Sequence, residues 1–145
     1  MTVFIDADAC PVTSEAVEIA AAQGVSAVLL CDTSHEIFRP GAQTVVVSKG
    51  ADSVDYALVN RLASGDIVVT QDYGLAAMCL ARGARVINQN GWIYDDGNIG
   101  LLLEQRAAAA KLRRAGKHGK GPAKRTAAQT AEFCASFARL LAAAR

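Results

Sequence analysis

The chain has 145 residues, enough for one domain around a buried sheet, and a composition that is 52% hydrophobic but 6% aromatic points to a core of Val, Ile, Leu and Ala. No apolar run nears the roughly 20 residues that span a bilayer, and the start, Met1-Thr-Val-Phe-Ile-Asp, has neither the basic end nor the cleavage site of a secretory signal, so a cytoplasmic protein without a membrane partner is expected. The net charge of +1 hides a division: residues 1–105 hold 5 Lys/Arg against 13 Asp/Glu, a net −8, and residues 106–145 hold 10 against 1, a net +9, an asymmetry that suggests a polyanionic partner.

Short apolar runs alternate with amphipathic segments punctuated by glycine, the rhythm of a mostly parallel sheet covered on both faces by helices. The first strand is expected at Thr2–Asp6. A helix follows from about Val12 to Gln23, with Pro11 in its opening turn, Val12, Ala16, Ile19 and Ala20 on one face, and Gly24 closing it. The second and third strands are read at Val25–Cys31 and Thr44–Ser48, continuously apolar as doubly buried strands should be. A second helix begins near Asp52 and ends before Gly65, with Val54, Leu58 and Leu62 four apart, and the fourth strand runs Asp66–Thr70. Asp66 itself reads as a turn residue.

A third helix spans roughly Gly74–Ala81, Gly83 allows the return, and the fifth strand is Arg85–Asn88. Asp95 and Asp96 read as a turn before a fourth helix that Asn98 caps and that continues to about Arg114. Residues 116–125 hold three glycines, a proline and four Lys/Arg without a large apolar side chain, which predicts a mobile basic loop. Thr126 and Gln129 then fit a capping box, and Phe133, Phe137, Leu140 and Leu141 form one stripe, so a final helix over about 127–143 is expected to dock onto the body. The expectation is therefore one α/β domain over 1–145, three layers deep, with a doubly wound five-stranded sheet in the order 3-2-1-4-5.

That order sets the first strand beside the fourth and brings acids together at the carboxyl edge. Asp6 ends the first strand, Asp8 follows on the same side if the chain stays extended, and Asp72 follows the fourth strand. Clustered carboxylates raise each other's pKa and cost stability unless a cation neutralises them, and oxygen-only donors favour Mg²⁺ or Mn²⁺ over zinc. Asp52 and Asp55 share a face at the start of the second helix; they either complete the shell or serve as cap and dipole partner. Turn and capping roles are the ordinary alternatives for Asp6, Asp8 and Asp72.

The cysteines, Cys10, Cys31, Cys79 and Cys134, lie apart with no CxxC pair, which fits neither a disulfide framework nor a zinc site, and at least three are expected as buried thiols. Cys10 precedes a helix start but has no paired His, so packing is the favoured role. His35 reads as an exposed loop residue and His118 falls in the basic loop.

At these residues the chain resembles the YaiI/YqxD family, which is grouped with the PIN-like nucleases. The matching segments are FIDADACPV at 4–12, GADSVDYALV at 50–59, GDIVVTQDYGLA at 65–76, ARVINQNGWIY at 84–94, NIG at 98–100 and the Gly-Pro loop before a Phe-bearing helix, so the likeness covers nearly the whole chain. It implies a PIN-like fold and, by superfamily analogy, a magnesium-dependent nuclease site. Asp6 then matches the acid ending the first strand, Asp72 the acid after the fourth, and Asp52 or Asp55 the acid heading the second helix, while Asp8 and Cys10-Pro11 belong to the family's own motif. The last helix opens Arg125-Thr-Ala-Ala-Gln where the superfamily pattern calls for an acid, which leaves that position without a role.

The leading expectation is metal-dependent hydrolysis of phosphodiester bonds in RNA or DNA, with Asp6, Asp8, Asp52, Asp55 and Asp72 at the site and Asp6, Asp8 and Asp72 on the metal. Lys111, Arg113, Arg114, Lys117, Lys120, Lys124 and Arg125 either neutralise phosphates or form a solvated charge run. Two other readings stand beside it. Asp6-Ala-Asp8 resembles the nucleophile and acid of a haloacid dehalogenase-type phosphatase, although Cys10 stands where that pattern wants Thr or Val. A noncatalytic nucleic-acid-binding module is the other.

Overall fold

The computed structural model describes residues 1–50, 53–116 and 124–144. The elements run β1 (Thr2–Asp6), α1 (Thr13–Ala22), β2 (Ser26–Asp32), β3 (Gln43–Val47), α2 (Ser53–Arg61), β4 (Ile67–Val69), α3 (Tyr73–Ala81), β5 (Arg85–Ile87), β6 (Ile93–Tyr94), α4 (Asp96–Arg114) and α5 (Ala127–Ala144). The sheet order is β3-β2-β1-β4-β5-β6, parallel up to β5, with β6 antiparallel at the edge. Among the described residues the sheet thus has six strands where five were expected. Asn88 builds the return: its Oδ1 accepts from the Asn90 and Trp92 N–H groups, each at 2.9 Å, and its own N–H donates to the Trp92 carbonyl at 2.8 Å. A two-residue strand is too short to show an alternating pattern, which is why it could not be read in advance.

Strand side chains alternate between two cores. Val3 and Ile5 of β1, with Leu29, Val69 and Ile87, pack under α1 and α5, while Phe4, Leu30, Val68 and Val86 face α2, α3 and α4. These are the three expected layers. Phe133, Phe137, Leu140 and Leu141 of α5 are buried as the stripe required, and Gln23, which caps the end of α1, donates through Nε2 to the Ala138 carbonyl at 3.0 Å. The reciprocal bonds of the Thr126–Gln129 capping box are formed at 2.9 and 3.2 Å. Gly91, at φ +87, brings the β5–β6 turn against α5. A Cβ there would lie 2.6 Å from the Glu132 carbonyl oxygen, and Ser136 Oγ donates to the Gly91 carbonyl at 2.6 Å.

Three local expectations change. Asp95, not Asn98, caps α4; its carboxylate accepts from the Asn98 N–H while Asn98 Oδ1 accepts from the Asp95 N–H, so Asn98 is the third-position partner of a capping box. Of the cysteines, Cys31 and Cys79 are buried whereas Cys10 and Cys134 are half-buried, and all four are free. Asp66 serves more than a turn: at 6% exposure its carboxylate accepts from the Thr2 N–H at 2.9 Å and the Ala63 N–H at 2.8 Å, joining the starts of β1 and β4. Asp66→Ala orphans two backbone donors, so a loss of about 2–4 kcal/mol is expected, read as a lower urea midpoint at unchanged slope.

The expected mobile loop falls largely on residues 117–123, outside the described residues, as do Asp52, Lys117, His118 and Lys120. No described helix is long and apolar enough to cross a membrane.

Candidate functional site

The carboxyl edge of β1 and β4 opens into a cavity of about 590 Å³ lined by Asp6, Asp8, Asp32, Asp55, Asp72 and Arg106, with Gly50, Ser53, Val54, Gln71 and Tyr73 between them. Four of the five acids expected at the site, Asp6, Asp8, Asp55 and Asp72, line this one space. Each is fixed by its element. Asp6 ends β1, paired with Leu30 of β2, and its Oδ2 accepts from Thr70 Oγ1 at 2.9 Å. The same Thr70 oxygen accepts from the Asp72 N–H at 3.0 Å, so one hydroxyl links the two acids. Asp72 caps α3, its Oδ1 accepting from Gly74 N–H at 2.8 Å and Leu75 N–H at 3.2 Å. Capping and lining the cavity are therefore both properties of Asp72. Asp55 stands in the first turn of α2.

Asp8 reaches the cavity differently from the extended path expected for it. The chain turns at Asp8 and Ala9, the Cys10 N–H returns to the Ala7 carbonyl at 3.2 Å, and Ala9 sits at φ +58. A non-glycine residue there costs roughly 1–2 kcal/mol, and Gln71 Nε2 donates to the Ala9 carbonyl at 3.2 Å, which ties this turn to the loop before α3. Turned this way, Asp8 meets the end of β2: donor atoms of Asp8, Asp32 and His35 all lie within 4.8 Å of one another. Asp32 is held by the Ser34 N–H at 2.8 Å.

The electrostatics follow from this crowding. Burial, followed by the charges of Asp55, Asp8 and Asp72, pushes the Asp6 carboxyl up from 3.8 to about 6, against the opposing Thr70 hydrogen bond. Asp8 is also raised, by burial and then by Asp32, with His35 and the Asp32 backbone N–H opposing. Asp8 Oδ1 is buried and has no hydrogen-bond partner among the described residues. An edge of carboxylate oxygens on which Asp6 and Asp8 are raised, with Asp8 Oδ1 left open, suits a hard divalent cation. Cys10 is a poor nucleophile, since burial raises its thiol and removes the thiolate that reaction would need.

Asp32, His35, Thr70 and Arg106 were not read as site residues from the sequence. Asp32 was within reach, because a second strand parallel to the first carries its terminal acid to the same edge; Arg106 is brought from 34 positions beyond Asp72 by the packing of α4 on α3. Among the expected nucleic-acid contacts, Lys111, Arg113, Arg114 and Lys124 are exposed. Arg125 is otherwise engaged: its guanidinium donates to the Gln89 carbonyl and Asn90 Oδ1, both at 2.6 Å, and to Thr130 Oγ1 at 3.1 Å.

Comparison with known proteins agrees with the motifs. Residues 4–143 match the family model described as "Uncharacterized BCR, YaiI/YqxD family". The chain is 49% identical over 141 residues to a UPF0178 protein of Exiguobacterium sibiricum, covering 97% of this chain and 96% of that one. It is 45% identical over 143 residues to one of Clostridium acetobutylicum, with 97% of each covered. With a UPF0178 protein of Staphylococcus saprophyticus the identity is 39% over 142 residues, 96% and 92% covered. The chain therefore belongs to the YaiI/YqxD family.

Proposed function

We propose that this protein is a Mg²⁺- or Mn²⁺-dependent hydrolase of phosphodiester bonds, a nuclease with a PIN-like acidic site, acting on RNA or DNA. The observation that carries the reading is the convergence of Asp6, Asp8, Asp55 and Asp72 on one cavity, with Asp6 raised to about 6 by burial and by the other three. Asp6, Asp8 and Asp72 are the ligands in this reading, with Asp55 beside them. A divalent cation bound there supplies Lewis acidity and charge neutralisation at a phosphate.

The chain's own part is preorganisation. Thr70 holds Asp6 through its hydroxyl and receives the Asp72 N–H, so two acids are oriented by one side chain before any ligand arrives. The α3 amide groups fix Asp72 Oδ1, and Tyr94 OH donates to the Thr70 carbonyl at 3.4 Å, bracing the residue between the two acids. Exposed Lys111, Arg113, Arg114 and Lys124 supply a basic surface for a polyanion, and such binding would weaken steeply with salt.

The test is cleavage of single-stranded RNA and DNA in Mn²⁺. Wild type is expected to cut, and Asp6→Asn to lose about 100-fold or more of the rate, on the scale of removing one preorganised electrostatic group. Binding of nucleic acid with no Mn²⁺-dependent cleavage above the Asp6→Asn control would instead make it a noncatalytic binding module.

A further inference from the structure

Among the described residues that line the acidic cavity, Arg106 stands apart as the one cation. Its Nη1 lies 3.4 Å from Asp72 Oδ1, a long contact between half-exposed groups, and that oxygen already accepts two helix amides. A surface pair of this kind contributes little, so Arg106 is not what holds Asp72 in place. Gly74 lets the guanidinium lie close to the start of α3, since a Cβ there would stand 3.3 Å from Nη1.

On the other side of the Arg106–Asp72 contact lies a second cavity. At about 310 Å³ it sits at the lower end of the roughly 300–1,000 Å³ usual for small-molecule sites, and Asp55, Tyr56, Asp72, Gly74, Met78 and Arg106 line it. Asp55, Asp72 and Arg106 thus form a wall shared by the two spaces. Tyr56 is 59% exposed although it is aromatic, and α2 packs against α3 in a way that leaves its ring on this cavity rather than in the core. Met78 gives the floor an adaptable apolar surface.

An arginine fork matches a phosphate, and an exposed ring beside it offers a face on which a base can stack. We propose that the second cavity is a nucleotide subsite, in which Tyr56 stacks an unpaired base and Arg106 grips the phosphate that joins it to the bond at the acidic cavity, so that the protein selects single-stranded nucleic acid. This rests on the nuclease reading for the identity of the neighbouring cavity. Stacking on Tyr56 requires a base free of its partner, which a duplex does not offer. Arg113, seven residues beyond Arg106 and so on the same face of α4, continues the positive path outward.

The experiment is fluorescence anisotropy with fluorescein-labelled oligothymidylate and oligouridylate, and with a labelled duplex, in buffer containing Ca²⁺. Alongside it, Mn²⁺ binding is measured by calorimetry on each protein. Arg106→Gln and Tyr56→Ala are each expected to weaken single-strand binding about tenfold or more, while Tyr56→Phe keeps wild-type affinity and duplex binds more weakly than either single strand. Arg106→Gln is expected to bind Mn²⁺ as tightly as wild type or more so, because one competing positive charge has gone; a purely structural role for Arg106 would weaken both ligands together. Wild-type oligonucleotide affinity in both variants, or duplex binding equal to single strand, overturns the subsite. Absence of Mn²⁺ binding by wild type overturns the nuclease reading, and the anisotropy series still reports on Tyr56 and Arg106 separately.

Discussion

Asp6→Asn is expected to make the cation-free protein more stable at pH 7.5, while removing its response to Mg²⁺. The folded-state pKa of Asp6, about 6, lies above its ordinary 3.8, so the native state holds this proton more tightly than the unfolded chain. Stability therefore falls as pH rises between about 4 and 6, and the full cost is present above that window. Two pKa units correspond to about 3 kcal/mol, and partial solvent access at the cavity mouth reduces this to about 1–3 kcal/mol. Asparagine keeps an oxygen for the Thr70 hydroxyl and has no charge to repel its neighbours. The variant should melt several degrees above wild type at pH 7.5 and together with it at pH 4. Adding Mg²⁺ should raise the wild-type midpoint through selective binding to the native state and leave the variant little changed. A variant that is less stable than wild type across the whole range would mean that Asp6 is held by contacts that outweigh the repulsion.

The largest loss of stability is expected from Phe133→Ala. Phe133 and Phe137 are fully buried, their rings stacked with centroids 5.2 Å apart, and together they fix α5 onto α1 and the sheet. Truncating one removes its transfer energy and leaves a cavity between two rigid surfaces, about 3–5 kcal/mol. That is a large share of the roughly 5–15 kcal/mol that holds a domain together. Urea denaturation should show it, with Leu112→Ala, 52% exposed on α4, as a control that stays within about 0.5 kcal/mol. A small loss at Phe133 would mean that α5 contributes little to the core despite its burial.

The parts of this structure that were legible in the sequence are those set by short-range pattern. Thr2–Asp6 was readable to the residue because a continuously apolar run ending in an acid can be little else in a doubly wound sheet. The order β3-β2-β1-β4-β5 followed from handedness and connection rules, and with it the meeting of Asp6 and Asp72 at one edge. What escaped depends on geometry that no local spacing encodes. The turn at Asp8 and Ala9 sends Asp8 toward β2, so its nearest partners are Asp32 and His35. Asp95 and Asn98 are both good caps, and only the backbone decides which is first and which answers it. Arg106 looked like one member of a charged tail until α4 packed on α3 and turned it into the cavity. Asp66 shows the same limit, since it accepts from a strand start 64 residues earlier as well as from Ala63, just after the preceding helix.

Calorimetric titration of Mg²⁺ and Mn²⁺ into wild type and Asp6→Asn at pH 7.5 addresses the acidic cavity most directly. A saturable heat in wild type, reduced at least tenfold in affinity by the single substitution, is the result required of carboxylates that share a cation. Equal titrations in the two proteins, or no heat in wild type at millimolar metal, would show that these acids tolerate one another without it.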